Sequence, residues 1–114
     1  MNINFGILSA LRNSINGLKY LAEERAFVQE VIFGFAVCVA LFLSSSVALS
    51  KLYVFSAYCF ILIIEAVNTA IETVVNRISQ ERHPLSKKAK DIGSAAVFIA
   101  MVHFAITFLA LIRF

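Results

Sequence analysis

Tryptophan is absent from this chain, proline occurs once, at Pro84, and histidine only twice. The four glycines (Gly6, Gly17, Gly34 and Gly93) are scattered, so there is no glycine-rich phosphate loop. Any nucleotide handled here is held without a Walker A motif or a dinucleotide fingerprint. The two cysteines, Cys38 and Cys59, lie inside apolar runs, with no CxxC and no clustered histidine. That pattern reads as buried free thiols in preference to a disulfide or a metal site. Charged residues make up 15%, and 10 Lys+Arg against 7 Asp+Glu leave a formal charge of +3, too little for a nucleic-acid partner. What the chain has in excess is apolar residues. Hydrophobic content is 61% and mean hydropathy +0.87, against roughly 45–50% apolar residues in soluble domains. The excess points to a bilayer rather than a water-soluble core, and 114 residues allow one domain.

Residues 3–25 place Ile7/Leu8, Leu11, Ile15, Leu18 and Leu21/Ala22 at alternating spacings of three and four, with Arg12, Asn13, Asn16, Lys19, Glu23 and Glu24 between them. This periodicity predicts an amphipathic helix, too polar to span and best placed flat on a membrane surface. Three spans follow, at about 28–49, 52–78 and 88–112. Ser44–Ser46 is expected to satisfy its hydroxyls on helix carbonyls, with Ser50–Lys51 as a short turn and Tyr53 as an interfacial anchor. Ser79–Lys88 is the strongly polar connection, and Pro84 marks a break from helix. Gly93–Ala96 is a small-residue patch that permits close helix approach. His103, in mid-span, reads as hydrogen-bonded structural glue. The phenylalanines of the spans read as packing or lipid-facing residues.

One stretch stands out. Glu65, Asn68 and Glu72 fall within roughly a 60° sector of a helix, over about 10 Å of axis, and Asn76 continues the stripe. Ala66, Val67, Ile71, Val74 and Val75 are assigned to the opposite face. Ionisable groups in or beside a span are costly and normally face a bundle interior with a task to perform. The competing reading is that this end of the helix has left the membrane and its charges are solvated.

Basic residues orient the chain. Arg12, Lys19 and Arg25 precede the first span, and Arg77, Arg82, Lys87, Lys88 and Lys90 follow the second, whereas Lys51 and Arg113 lie on the other side. The positive-inside rule puts the N-terminus and the 77–91 loop in the cytoplasm and the C-terminus outside. Glu24, Gln29, Glu30, Glu65, Asn68, Glu72, Lys90, Asp91 and Ser94 then share one membrane surface. Clustered carboxylates suit Mg²⁺ with substrate phosphates, and lysines at a helix N-terminus suit a phosphate. A deeper carboxylate is placed to accept a proton from a lipid hydroxyl. The sequence permits phosphoryl transfer at a membrane surface without compelling it. Lys87 and Asp91 equally fit an ordinary i,i+4 surface pair, His83 equally fits a surface histidine, and Lys90 equally fits a headgroup anchor.

The run EAVNTAIETVVNRISQERHPLSKKAKDIGSAAV, Glu65 to Val97, closely resembles the signature of the prokaryotic diacylglycerol kinase family, which includes undecaprenol kinases. Glu65-x-x-Asn68-x-x-x-Glu72, His83 and Ala89-Lys90-Asp91 carry the likeness, and Glu24-Arg-Ala-Phe27-x-Gln29-Glu30 extends it. The resemblance implies an all-α membrane protein, one surface helix plus three transmembrane helices, assembling as a homotrimer in the bacterial inner membrane with sites shared between protomers. It implies MgATP as donor and a membrane lipid alcohol as acceptor. It implies Glu65 as general base with Asn68 beside it, and Glu24 and Glu72 as metal-carrying carboxylates. Glu24, Glu72, Glu81, Arg82, His83, Lys90 and Asp91 are implied to contact the nucleotide, and Ala10, Ser14, Lys19, Gln29, Glu30, Glu65 and Ser94 the lipid. The chain departs from the family at Asn76, where Asp is expected, and at Gly6 and Asn13, where Arg and Tyr are expected near the nucleotide. Val28 stands in place of a basic residue.

The expected function is ATP-dependent phosphorylation of diacylglycerol to phosphatidate at the cytoplasmic face, with undecaprenol as the alternative acceptor. Ile92–Val97 resembles the diacylglycerol branch, and His83-Pro84-Leu85 the undecaprenol branch. From another class, a small proton-coupled transporter would also be short, helical and centred on an intramembrane Glu, but with four spans and a single central carboxylate.

Overall fold

The computed structural model describes residues 3–113, with side chains from Gly6 onward. They form four helices: α1 (Ile3–Leu21), α2 (Arg25–Leu43), α3 (Ala48–Ile78) and α4 (Pro84–Arg113). Helices α2, α3 and α4 are each long and apolar enough to cross a membrane, so the chain is an all-helical membrane protein. At 1.5 Å per residue, the 19 residues of α2 reach about 28 Å, close to the roughly 30 Å of a hydrocarbon core. The 31 residues of α3 and 30 of α4 reach about 45 Å. Both long helices exceed the thickness of the hydrocarbon, and the 79–83 connection joins the C-terminal end of α3 to the start of α4.

Helix α3 is the centre of the bundle, packed most extensively against α4 and less so against α2. The core is Val37 and Leu41 of α2, Val54, Ala57, Tyr58 and Ile61 of α3, and Ala100, Phe104 and Leu111 of α4. Phe33 packs edge-on against Phe104 at 5.8 Å. Phe35, Phe42, Phe60 and Phe98 face outward, as apolar residues of a lipid-exposed bundle do.

Helix boundaries differ from the sequence expectation in two places. The first break falls at Ser44–Val47, and Ser50 and Lys51 lie inside α3 rather than in a turn. The serines end the helix instead of bonding back into it: Ser44 Oγ accepts the Ser46 N–H at 3.1 Å, and Ser46 Oγ donates to the Leu111 carbonyl. Short hydroxyl side chains offer the backbone an alternative to the helix ladder, and here that alternative wins. At the second place Pro84 begins α4 rather than preceding it, since a residue without an N–H costs nothing in a first turn. His83 caps this helix, its Nδ1 accepting the Leu85 N–H at 3.1 Å.

Four side chains also sit elsewhere than expected. Cys38 is exposed on the outer face of α2 and Cys59 is half-buried; both are free. His103 is exposed and meets Phe60 edge-on at 6.4 Å instead of serving as hydrogen-bonded glue. Val75 is buried on the Asn68 side of α3, not on the opposite face, because it follows Asn68 by seven residues, two turns of helix.

The small-residue patch brings α3 and α4 together at one residue. Gly93 is buried, and a Cβ there would collide with Asn68 Oδ1. Gly93→Ala is expected to lower stability by about 1–3 kcal/mol through overpacking. Thermal unfolding in detergent would measure this, and Asn68→Ala in the same background should recover part of the loss.

Candidate functional site

Glu65 and Asn68 are the buried polar residues of the bundle interior, 8% and 7% exposed, and they follow directly on the uncharged run from Leu52 to Ile64 of α3. Leaving such groups in low dielectric without partners is expensive, so their surroundings are informative. Asn68 Nδ2 donates to Glu72 Oε1 at 3.4 Å, one turn along α3. Asn68 Oδ1 has no donor and lies against Gly93. The charged neighbours of Glu65 are carboxylates: Glu30 of α2, within hydrogen-bonding reach, and Glu72 and Glu24. Glu30 Oε2 is likewise buried without a donor. Acceptors facing one another across helices, short of donors, make a place suited to a proton, a hydroxyl or a cation.

One cleft opens on this cluster and two more lie farther along α3. The first, about 530 Å³, lies between α2, α3 and α4; it has Gln29, Glu30 and Glu65 at its head and Phe33, Tyr58, Ile61, Met101 and Phe104 along its walls. The second, about 670 Å³, lies between the end of α1 and α3, with Ser14, Glu24, Thr69 and Thr73 among its lining. The third, about 680 Å³, sits where the end of α3 and the start of α4 join, and gathers Asn76, Glu81, Arg82, His83, Lys90 and Asp91. Lys90, half-buried, donates to Asn76 Oδ1 at 2.8 Å. The partner is a neutral carboxamide, so the ammonium charge is directed but not neutralised. Lys87 and Asp91 form an exposed i,i+4 pair at 2.6 Å, so Asp91 is already engaged within its own helix. Because the His83 cap uses Nδ1 as acceptor, the ring N–H is Nε2, exposed to this third cleft.

The residues singled out by sequence divide accordingly. Glu30, Glu65, Asn68 and Glu72 come together, with Gln29 at the head of the first cleft. Glu81, Arg82, His83, Lys90 and Asp91 share the third. Glu24 is exposed at the N-terminus of α2, its side chain making no cap bond. Ala10 and Lys19 are exposed on α1, and Ser14, in the second cleft, donates to the Ala10 carbonyl at 3.0 Å. Ser94, next to Gly93 on α4, is exposed. Residues that sequence reading missed are Ser79, Gln80 and Ser86 in the third cleft and Tyr58 in the first. The three polar ones lie within the polar Ser79–Lys88 connection, whereas Tyr58 stands in an apolar run with no motif around it.

Among the described residues, no three His, Cys, Asp or Glu side chains converge into a ready-made metal cage. Mg²⁺ does not require one, because it takes one or two carboxylates and fills its octahedron with water and substrate phosphates. Glu72 and Glu24 are chemically suited to that part.

Comparison with known proteins agrees with this layout. The sequence profile of the prokaryotic diacylglycerol kinase family matches residues 12–112. A diacylglycerol kinase of Pseudomonas aeruginosa is 42% identical over 103 residues, covering 89% of this chain and 83% of that protein. The diacylglycerol kinase of Escherichia coli K12 is 41% identical over 108 residues, 93% of this chain and 88% of that protein. One of Haemophilus influenzae is 35% identical over 96 residues, 83% and 81% of the two chains. With a match across nearly its whole length and a buried carboxylate cluster beside a basic cleft, the chain belongs to the prokaryotic diacylglycerol kinase family of membrane-bound lipid kinases.

Proposed function

We propose that this protein transfers the γ-phosphoryl group of MgATP to the free hydroxyl of diacylglycerol, giving phosphatidate and ADP at the cytoplasmic face of the inner membrane. The observation that carries this reading is the burial of Glu65 at the head of a cleft whose remaining walls are apolar. About 20 residues of helix cross a hydrocarbon core, so counting from Ala48 the boundary falls near Asn68. Glu65 is thus just inside the apolar layer and Glu72 just outside it. A diacylglycerol, whose hydroxyl sits at that depth and whose chains lie below, fits the first cleft. Undecaprenol shares the hydroxyl but lacks the glycerol ester oxygens that Gln29 would recognise.

In this mechanism Glu65 accepts the hydroxyl proton as the lipid oxygen bonds to the γ-phosphorus and the bond to the β-bridging oxygen breaks. Asn68 holds Glu72 in place through its amide. Glu72 and Glu24 would hold Mg²⁺, which neutralises phosphate charge when bound. Lys90, directed by Asn76, with Arg82 and the His83 Nε2–H, holds the nucleotide phosphates in the third cleft. Positioning and charge neutralisation supply most of the catalysis in such transfers. Helix α1 lies on the membrane surface through Ile7, Leu8, Leu11, Ile15 and Leu18, all of them exposed. A homotrimer would cover part of the apolar surface the protomer leaves open and bring further polar groups to each site.

Lys90→Met is expected to raise the KM for MgATP about ten- to a hundredfold, the range of a charge-assisted hydrogen bond, with the lipid KM unchanged. An unchanged MgATP KM would remove Lys90 from the nucleotide site. The acceptor is tested by offering diacylglycerol and undecaprenol together to purified protein in mixed micelles with labelled ATP. Preferential labelling of phosphatidate supports the proposal; labelling of undecaprenyl phosphate alone moves the chain to the other acceptor.

A further inference from the structure

Tyr58 is a large side chain in the middle of a span, 6% exposed, with its hydroxyl deep among apolar groups. A hydroxyl there needs a partner, and it has one: Tyr58 Oη donates to the backbone carbonyl of Glu30 at 2.7 Å. That carbonyl has a second lone pair beyond the one used in its own helix. Access to it exists only because residue 34, one turn along, is glycine. A Cβ on Gly34 would collide with the Tyr58 hydroxyl and ring carbons. Gly34 is buried in mid-helix, where glycine is otherwise unfavourable by roughly 0.5–1 kcal/mol relative to alanine. The glycine and the tyrosine therefore form a notch and a peg, locking α2 against α3 in one axial register. The peg touches the residue whose carboxylate stands beside Glu65, and Phe33, next to the notch, packs on the Tyr58 ring at 6.5 Å.

Resting on the kinase reading above, we propose that Tyr58 is a positioning residue for the acceptor lipid. Through its hydrogen bond to the Glu30 backbone in the notch left by Gly34, it fixes the Glu30 side chain beside Glu65 at the head of the lipid cleft. Helix α2 has less packing against the bundle than α4 does, so a single well-placed lock has leverage over its register. The nucleotide cleft is built from the far ends of α3 and α4 and does not depend on it.

The test is steady-state kinetics of the full-length protein in mixed micelles, with KM measured separately for diacylglycerol and MgATP. Tyr58→Phe keeps the ring and removes only the donor. It is expected to raise the lipid KM about three- to tenfold, the size of one neutral hydrogen bond, with the MgATP KM unchanged. Gly34→Ala should raise the lipid KM further by displacing the ring, and adding Tyr58→Val should bring it back toward the wild-type value by vacating the space. A wild-type lipid KM in Tyr58→Phe, an equal rise in both KM values, or a Gly34→Ala/Tyr58→Val protein no better than Gly34→Ala would overturn the proposal. Absence of lipid phosphorylation by the wild-type protein would instead contradict the kinase reading itself.

Discussion

Glu65→Gln is expected to lower kcat about 10²–10⁴-fold, the contribution of a positioned general base, while leaving both KM values and the assembled fold intact. The substitution preserves the size of the side chain and removes its capacity to take a proton. Glu65 is 8% exposed and sits at the head of the cleft assigned to the lipid, where the one other carboxylate in the lining is Glu30. Glu30 is the alternative to examine, since it faces Glu65. Glu30→Gln should therefore be much milder than Glu65→Gln, changing lipid KM more than kcat. Rate and melting temperature measured on the same preparations separate loss of chemistry from loss of structure. Retained turnover in Glu65→Gln would remove it as the base.

The second large effect belongs to Glu72. Glu72→Ala is expected to raise the Mg²⁺ concentration for half-maximal activity about ten- to a hundredfold, the scale on which supporting groups of metal sites act. The lipid KM should not follow. This variant also deprives Asn68 of its hydrogen-bond acceptor at 3.4 Å, so Glu72→Gln is the necessary companion: it keeps an oxygen for Asn68 and removes the charge. If the charge is what matters, both variants need more Mg²⁺. If Glu72 merely tethers Asn68, the glutamine variant behaves as wild type and the metal assignment fails.

The polar stripe of α3 was legible in the sequence because helix periodicity is local: spacings of three and four residues fix which side chains share a face. The sequence left open whether the stripe is buried or solvated, and both readings hold in part: Glu65 and Asn68 are buried, as a carboxylate within a span should be, whereas Glu72 is half-buried and Asn76 exposed. Val75 departs from the periodicity reading, since it follows Asn68 by two turns and shares its side of α3 rather than the opposite face. The end of α2 was not legible, because Ser44–Ser46 has two outlets for its hydroxyls, and one of them, the Leu111 carbonyl, is distant in sequence. For the same reason the Gly34–Tyr58 lock was invisible. Nothing in either segment announces the other, and only the packing of α2 on α3 brings them together. The Asn76–Lys90 bond belongs to this class as well, although the departure from the family at Asn76 marked the position as one to watch.

The most direct test of the central claim uses purified protein in sealed vesicles containing diacylglycerol, oriented so that trypsin added outside cleaves the 77–91 loop. Labelled MgATP is supplied either outside or inside. If the carboxylate cluster and basic cleft form a lipid kinase site, ATP on the side of the loop yields labelled phosphatidate and ATP on the other side yields none. Phosphatidate formed only from ATP on the C-terminal side, or from neither side by protein that remains folded, would contradict the account.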